Sequence, residues 1–240
     1  MREFAHAYVS RNDTLDILVN NAGVMAIPRR ETKDGFEMQL GTNHLGHFAL
    51  TDHLMGLLSA TGTTQRPARV VNVSSQAHRG GRVRFHDLHW EKSYSKWGAY
   101  GQSKLANLLF TFELQRRLDS AGLPILAVAC HPGYSSTNLQ LVGPEMEQAA
   151  LTTRFFRWAN GSVAQSAYMG ALPTMYAAVS GDVVGGGYYG PGGFMEMWGY
   201  PKEVDSTPTS RDPEIQRKFW EVSQTLTGAH FESLEVAAAS

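Results

Sequence analysis

The sequence predicts an α/β fold built around an open, mostly parallel sheet. Short apolar runs of strand length occur at 15–20, 69–75 and 124–130, and each ends in polar or small residues. Longer stretches with apolar residues at helical spacing separate these runs. Because strands that alternate with long helices are typical of a parallel sheet covered by helices, we expect one domain that spans residues 1–240.

The first elements are a helix end and a buried strand. Residues 1–12 have the pattern of the tail of a helix, without a capping signal before them. The run at 15–20 is mostly apolar and leads into Asn20-Asn21-Ala22-Gly23, which predicts a strand that feeds a turn.

The next helix, predicted over 34–58, has a start signal and an interruption. Asp34 is followed three residues later by Glu37, a variant of the capping box. Glycines on both sides of Asn43 weaken the helix locally, which predicts a kink at that residue.

The remaining chain supplies further strands and helices around a polar loop at 76–97. Gly122 is expected at the C′ position of the helix that precedes it. A polar, proline-containing stretch at 200–211 comes before a final amphipathic helix. The predicted elements are strands at 69–75, 124–130 and 185–190 and helices at 97–118, 134–162, 162–179 and beyond 211.

Composition excludes several classes of protein. A formal net charge of −1 in 240 residues gives no basic excess for a nucleic acid backbone. No apolar run approaches the roughly 18 residues of a membrane helix, and the first residues lack the apolar core of a secretion signal. The single cysteine, Cys130, allows no intrachain disulfide and fits a reducing compartment, so we expect a cytoplasmic protein.

The most informative pair of residues is Tyr100 and Lys104, at the start of the helix over 97–118. Residues four apart lie on one face of a helix, so the phenol and the ammonium are neighbours. An adjacent ammonium lowers the pKa of a phenol, which suits it to proton transfer near neutral pH. The alternative is a surface tyrosine and a solvated lysine that fall four apart by chance.

Three predicted strands end in polar or turn-forming residues that belong to one edge of the sheet. These ends are Asn21-Ala22-Gly23, Ser74-Ser75 and Pro132-Gly133. Ligands of open α/β sheets bind beyond the carboxyl ends of the strands, so we expect these residues to line one crevice.

These motifs resemble those of the short-chain dehydrogenases/reductases. The matching elements are Asn20-Asn21-Ala22-Gly23, Asn43, Ser75, Tyr100-x-x-x-Lys104, and Pro132-Gly133 followed by Thr137, in the family's order. The stretches 43–48 and 100–110 resemble the retinol-dehydrogenase-like branch. The resemblance runs to about residue 230 and implies a Rossmann-like, doubly wound parallel sheet.

The resemblance implies a hydride transfer between NAD(P) and a lipophilic alcohol or carbonyl compound. Tyr100 would be the acid/base and Lys104 would lower its pKa and bind the nicotinamide ribose. Ser75 would hold the substrate oxygen, and Asn43 would position a water next to the lysine. Taken singly, Ser75 could instead satisfy backbone groups at a strand end, and Asn43 could cap a kinked helix.

The resemblance also assigns residues to the cofactor and the substrate. Besides Tyr100 and Lys104, the expected cofactor contacts are Asn21, Ala22, Gly23, Pro132, Gly133 and Thr137. NADP is favoured over NAD by the branch alone. A homo-oligomer is compatible with the sequence. Six aromatic or apolar residues either line a substrate pocket or belong to the core: Tyr134, Leu139, Phe155, Phe156, Trp158 and Tyr189.

The histidines are weighed as metal ligands and rejected. His44 and His47, and likewise His86 and His89, are three residues apart. No cysteine or carboxylate completes a tetrahedral set near them, so no metal site is predicted.

The sequence departs from the family at its start. Family members begin with a strand, a glycine-rich phosphate-binding turn and a helix, and no such turn precedes Asn20. We therefore expect an N-terminally truncated domain that lacks the first strands, exposes the strand at 15–20 as a sheet edge and binds cofactor weakly or not at all. The alternative to an enzyme is a catalytically impaired fragment or a non-catalytic binding protein.

Overall fold

The computed structural model describes residues 1–134 and 164–234, and these residues form a layered α/β domain around a five-stranded sheet. The first four strands are parallel and lie side by side in chain order, and the fifth runs antiparallel to the fourth. The strands are β1 (Ile17–Asn20), β2 (Ala68–Val73), β3 (Ile125–Cys130), β4 (Tyr188–Pro191) and β5 (Pro201–Glu203). The predicted α/β class and mostly parallel sheet are confirmed.

Helices cover both faces of the sheet. They are α1 (Arg2–Val9), α2 (Met38–Leu40), α3 (Gly46–Thr61), α4 (Lys96–Ser120), α5 (Ala167–Val179), α6 (Pro208–Arg211) and α7 (Pro213–Thr227). Helices α3, α4 and α7 pack on one face, where Phe48, Phe110 and Trp220 share a core with the side chains of β2 and β3. Helix α5 packs on the other face through Ala177 and Ala178. The sheet is therefore doubly wound, as predicted.

Helix α4 is buried along most of its length, between the sheet and α7. Its start is fixed by Ser95, whose hydroxyl accepts a hydrogen bond from the backbone of Gly98. Beyond its end Gly122 has φ +63°, a left-handed conformation that suits glycine at this predicted C′ position. The helix carries Tyr100 and Lys104 in its first turns.

The predicted start of the second helix was wrong. Asp34 lies before a turn at Gly35, whose φ is +81°, and Glu37 itself is the N-cap of α2. The Glu37 carboxylate accepts hydrogen bonds from the backbone of Gln39 and Leu40 at 2.9 and 2.7 Å. Glu37, which the sequence pattern placed at the second position of a capping box, is therefore itself the N-cap residue of α2.

The predicted kink at Asn43 takes the form of a π-helical turn. Residues Gly41–Leu45 form this turn between α2 and α3. Such single turns insert one extra residue into a helix and are frequent at functional sites. Asn43 is fully buried within it.

The region around β4 and β5 departs most from the sequence-based prediction. The 185–187 segment is a turn and the strand begins at Tyr188. The polar, proline-containing stretch at 200–211, for which neither a strand nor a helix was predicted, contains β5 and α6. Because β5 pairs antiparallel with β4, residues 192–200 form a long hairpin loop, called the hairpin loop below. A segment of three residues with a proline at its start has no period that a sequence pattern can detect.

Strand β1 lies at one end of the sheet, as predicted. It pairs with β2 on one side, and no other strand among residues 1–134 and 164–234 pairs with it. Leu18 and Asn20 point into the core, whereas Ile17 and Val19 are 36% and 40% exposed. An apolar edge strand of this kind is prone to pair with another chain.

Candidate active site

The carboxyl ends of β1, β2 and β3 bring the predicted site residues to one edge of the sheet. The turn at 21–23 follows β1, Ser74 and Ser75 follow β2, and the turn at 131–133 follows β3. The start of α4 lies against the short 3₁₀ helix Gln76–Gly80 that continues from Ser75. The fold therefore brings these strand ends to the edge of the sheet where ligands of open α/β sheets bind, and the crevice expected there stays a prediction.

Tyr100 and Ser75 meet at this edge of the sheet. The Tyr100 side chain is buried, and the Ser75 side chain lies close enough to it to lower the pKa of the phenol. Ser75 is also the N-cap of the 3₁₀ helix, where its hydroxyl accepts a hydrogen bond from the Ala77 amide at 3.2 Å. The local fold thus holds the serine hydroxyl beside the phenol.

The expected lowering of the Tyr100 pKa by Lys104 was wrong. Burial raises the pKa of Tyr100 to about 12, and the interaction with the Ser75 side chain only partly offsets this rise. Lys104 Nζ lies 5.7 Å from the centroid of the Tyr100 ring and donates instead to the carbonyl of Val73 at 3.0 Å. Removal of the phenol from water is the largest cause of the shift, so the phenol is neutral near pH 7.

Lys104 is itself perturbed by burial. Desolvation of the ammonium lowers its pKa from 10.5 to about 8, and Cys130 opposes this shift. The ammonium is still mostly protonated at pH 7. Its hydrogen bond to Val73 fixes it to the last residue of β2.

The Asn43 side chain binds the backbone of the segment that follows β1. The Asn43 side chain accepts a hydrogen bond from the amide of Val24 at 2.8 Å and donates to the carbonyl of Val24 at 2.9 Å. It also donates to Ser103 at 2.9 Å. A Cβ atom at Gly23 would lie 2.9 Å from Asn43 Oδ1, so this approach requires a glycine. Asn21 and Ala22, by contrast, are exposed.

A buried chain of polar side chains behind the site was missed by the sequence analysis. Asn107 Nδ2 donates to the carbonyl of Val73 at 3.0 Å, the same oxygen that Lys104 contacts. Asn72 donates to Thr111 and accepts from Asn20, at 3.0 and 2.8 Å. The available signal was the polar residues at 107 and 111, at helical spacing from Lys104 in the mostly apolar stretch 105–112.

The turn after β3 is held by the hairpin loop. Gly133 has φ +67°, and a Cβ atom there would lie 2.6 Å from the carbonyl of Met197. The carbonyl of Pro132 accepts a hydrogen bond from Gln165 at 2.8 Å, and the amide of Tyr134 donates to Met197 at 3.0 Å. Thr137, like Leu139, Phe155, Phe156 and Trp158, lies outside the described residues.

The other pocket candidate, Tyr189, belongs to the core. Its ring packs against Tyr176, and its hydroxyl accepts a hydrogen bond from the Val184 amide at 3.0 Å. The buried side chain lies with β2 and β3 on the face covered by α5.

The histidines are dispersed in the structure. His44 is buried and its Nε2 lies 2.9 Å from the Ser223 hydroxyl, whereas His86 is exposed. Burial lowers the pKa of His44 to about 3 and that of His47 to about 4, so both rings are neutral. Within the described parts of the chain, no three histidine, cysteine or acidic side chains group to hold a metal ion.

A parallel sheet with serine, tyrosine and lysine gathered at its carboxyl edge is the arrangement that the sequence motifs imply. Residues 1–147 match the sequence model of the family described as short chain dehydrogenase. The chain belongs to the short-chain dehydrogenase family.

Relatives identify the branch. Mouse retinol dehydrogenase 14 is 38% identical over 230 residues, which cover 95% of this chain and 64% of that protein. Mouse polyprenol dehydrogenase is 41% identical over 232 residues, which cover 95% of this chain and 65% of that protein. The chain thus spans about two thirds of the length of the curated relatives it matches, and it is similar to the retinol-dehydrogenase-like branch.

Solved structures show the same fold. The crystal structure of an uncharacterized protein from Mycobacterium paratuberculosis is 42% identical, with a TM-score of 0.74, and the match covers 96% of this chain and 72% of that chain. The Pseudomonas aeruginosa RhlG/NADP active-site complex is 25% identical, with a TM-score of 0.52 and a coverage of 78% and 68%. Among the described residues, no helix has the length and apolar character needed to cross a membrane.

Proposed function

We propose that this chain carries the chemistry of an NAD(P)-dependent oxidoreductase that interconverts a lipophilic alcohol and the corresponding carbonyl compound. The observation that carries the proposal is the placement of the Ser75 side chain beside the buried phenol of Tyr100, with the Lys104 ammonium on the same face of α4. A hydroxyl, a phenol and an ammonium at the carboxyl edge of a parallel sheet form a site for a polarised oxygen.

Tyr100 is proposed as the proton donor in the direction of reduction. Because burial keeps its pKa at about 12, the phenol carries its proton over the whole physiological range. It gives that proton to the carbonyl oxygen as negative charge develops there, while Ser75 donates a hydrogen bond to the same oxygen. In the reverse direction, the deprotonated, phenolate form of Tyr100 takes the proton from the alcohol.

The described residues fit the nicotinamide half of the cofactor. The buried Lys104 ammonium has three N–H donors, and the carbonyl of Val73 accepts one of them in the part of the chain described. The others suit ribose hydroxyls, and residues 21–23, Pro132, Gly133 and Thr137 would shape the pocket. When bound, NAD(P) supplies or accepts the hydride. The RhlG complex contains NADP, and we propose NADP for this chain as well.

A lipophilic substrate is supported by the rim of the crevice. Trp97 stacks edge-on against Tyr100 with ring centroids 6.2 Å apart, and its side chain is half exposed. Phe194 and Met195 in the hairpin loop are 75% and 69% exposed, and the carbonyl of Met195 lies 3.4 Å from Gln76 Nε2. Relatives named for retinol and polyprenol act on apolar alcohols. A cytoplasmic location and a homo-oligomer stay predictions.

Substitution of Tyr100 tests the acid/base role. In Tyr100→Phe we expect turnover of a panel of lipophilic aldehydes and ketones with NADPH or NADH to fall by at least about 100-fold. Tyr176→Phe is the matched control, because that ring is packed in the core away from the crevice. Absorbance at 340 nm measures both rates, and equal turnover in the two variants would remove Tyr100 from the reaction.

A second candidate function is non-catalytic binding through the sheet edge at β1. Its supporting observation is the exposure of Ile17 and Val19 on β1, whose outer side pairs with no other strand of residues 1–134 and 164–234. Titration with NADPH and NADH, followed by tryptophan fluorescence, separates the two. Saturable quenching in the full chain supports the oxidoreductase. No quenching at millimolar cofactor favours the alternatives, a catalytically impaired fragment or a non-catalytic binding protein.

A further inference from the structure

The Glu196 carboxylate joins the hairpin loop to two other segments at the carboxyl edge of the sheet. One oxygen accepts hydrogen bonds from Gln76 Nε2 at 2.6 Å and from His131 Nε2 at 3.1 Å. The other accepts from Arg79 Nη2 at 3.0 Å. Gln76 and Arg79 belong to the 3₁₀ helix that starts after Ser75, and His131 begins the turn after β3. One side chain of the hairpin loop therefore ties the ends of β2 and β3 together.

All three partners direct N–H donors at the Glu196 carboxylate. The side chain at position 196 must therefore supply acceptor oxygens. His131 Nδ1 accepts a hydrogen bond from the Gly133 amide at 3.2 Å, so the ring proton is on Nε2 and points to Glu196. Burial keeps the pKa of His131 below its usual range, so this ring is neutral despite the carboxylate. A group with two acceptor oxygens satisfies all three donors, and an amide does not.

The backbone that presents Glu196 is unusual. Met195 and Glu196 have φ values of +50° and +56°, so two successive residues with side chains adopt the left-handed conformation. This conformation is disfavoured for such residues and persists only where the surroundings hold it. The hydrogen bonds of the carboxylate, together with the contact of Met197 with Tyr134, supply that hold.

We propose that Glu196 is a positioning residue that sets the place of the Ser75 hydroxyl by anchoring the 3₁₀ helix through Gln76 and Arg79. The same carboxylate aligns the turn at 131–133 through His131. The catalytic meaning rests on the proposed function, because it assumes that Ser75 contacts the substrate oxygen. The structural connection from residue 196 to residue 75 does not depend on that assumption.

The structural connection is tested by NMR on Glu196→Gln in the full chain. We expect the backbone amide signals of Ser75, Ala77 and Gly133 to move, since the amide group cannot accept all three hydrogen bonds. Asp16→Asn is the control, because it breaks the ion pair of Asp16 with Arg66 at the other end of the sheet. Arg79→Met is a second variant, which removes the hydrogen bond that the partly exposed Arg79 guanidinium donates to Glu196. Unmoved Ser75 and Ala77 signals in both variants would overturn the proposal.

The catalytic meaning is tested by a double-mutant cycle. Glu196→Gln is expected to lower kcat about tenfold in the parent chain, because a small displacement of a catalytic group is costly. In a Ser75→Ala background the same change should lower kcat less than about twofold. An equal loss in both backgrounds shows a merely structural role and refutes the proposal. Absence of turnover in every variant refutes the proposed function, while the NMR result still decides on the connection.

Discussion

Burial shifts the pKa of Tyr100 upward and that of Lys104 downward, and these shifts set the protonation of the two side chains. The pKa of the phenol rises to about 12 and that of the ammonium falls to about 8, because a buried site disfavours the charged form of each. Near pH 7 the pair is a neutral acid beside a cation. That combination is ready to give a proton to an oxygen on which negative charge develops.

Replacement of Lys104 by methionine is expected to stabilise the fold at neutral pH. The native state binds the lysine proton less tightly than the unfolded state does, so the charged form costs stability below pH 8. The difference between pKa values of 10.5 and about 8 corresponds to about 3 kcal/mol as an upper limit. Val73 keeps its hydrogen bond from Asn107 in Lys104→Met. Urea unfolding at pH 7 measures the gain.

The same variant has a defined pH dependence. Between pH 8 and about 10.5 the native lysine loses its proton while the unfolded one retains it, so the parent chain gains stability as the pH rises. The advantage of Lys104→Met should therefore shrink over this range. Lys33→Met, at an exposed loop position, is the control for the loss of one positive charge. A constant advantage for Lys104→Met would contradict the assigned cause.

At the scale of elements, the π-helical turn and the turn after β1 form one unit. The turn Gly41–Leu45 presents the Asn43 amide to both backbone groups of Val24, and Gly23 leaves room for it. The helix thereby fixes the chain that leaves β1 at the edge of the crevice. A local irregularity in a helix is used here to make a contact between elements that are distant in sequence.

Gly23→Ala is expected to destabilise the fold by about 1–3 kcal/mol, because its methyl group displaces the buried Asn43 side chain. Gly56→Ala is the matched control, since nothing lies within 4 Å of a Cβ atom there and the residue is in α3. The control should gain about 0.5–1 kcal/mol. Chemical unfolding of both variants measures the difference, and equal effects would show that the Gly23 contact has no energetic role.

At the scale of the whole molecule, the two edge strands of the sheet differ in the side chains that they expose. The last strand, β5, is short and exposes Lys202 and Glu203, charged residues that disfavour edge pairing. The first strand, β1, exposes Ile17 and Val19 instead. Self-association of this polypeptide should therefore involve the β1 side.

Val19→Lys is expected to reduce that self-association without a large change in unfolding free energy, because the residue is partly exposed. Sedimentation velocity over a concentration series measures the effect. Val184→Lys is the control, at an exposed apolar position next to β4. If both variants associate like the parent chain, the β1 edge is not the contact.

Local patterns predicted the elements that have a period or a distinct end. Helix α4, the strands β1 to β3 and the glycine at 122 were all readable from spacing and composition. Strand β5 and the cap at Glu37 were not, because short segments and competing acidic residues leave the sequence pattern ambiguous. The resemblance selected Ser75 and Tyr100, and the structure brings them together. Their catalytic roles stay predictions.

By itself, the sequence determined the order of strands β1 to β4 along the chain, the branch of the family and the pairing of Tyr100 with Lys104 on one helical face. Only the tertiary structure decided the direction of the Tyr100 pKa shift, the anchoring of Lys104 to Val73 and the junction at Glu196. The reason is physical. Helical spacing depends on residues a few positions apart, whereas desolvation and hydrogen bonding depend on groups that folding brings together from distant parts of the chain.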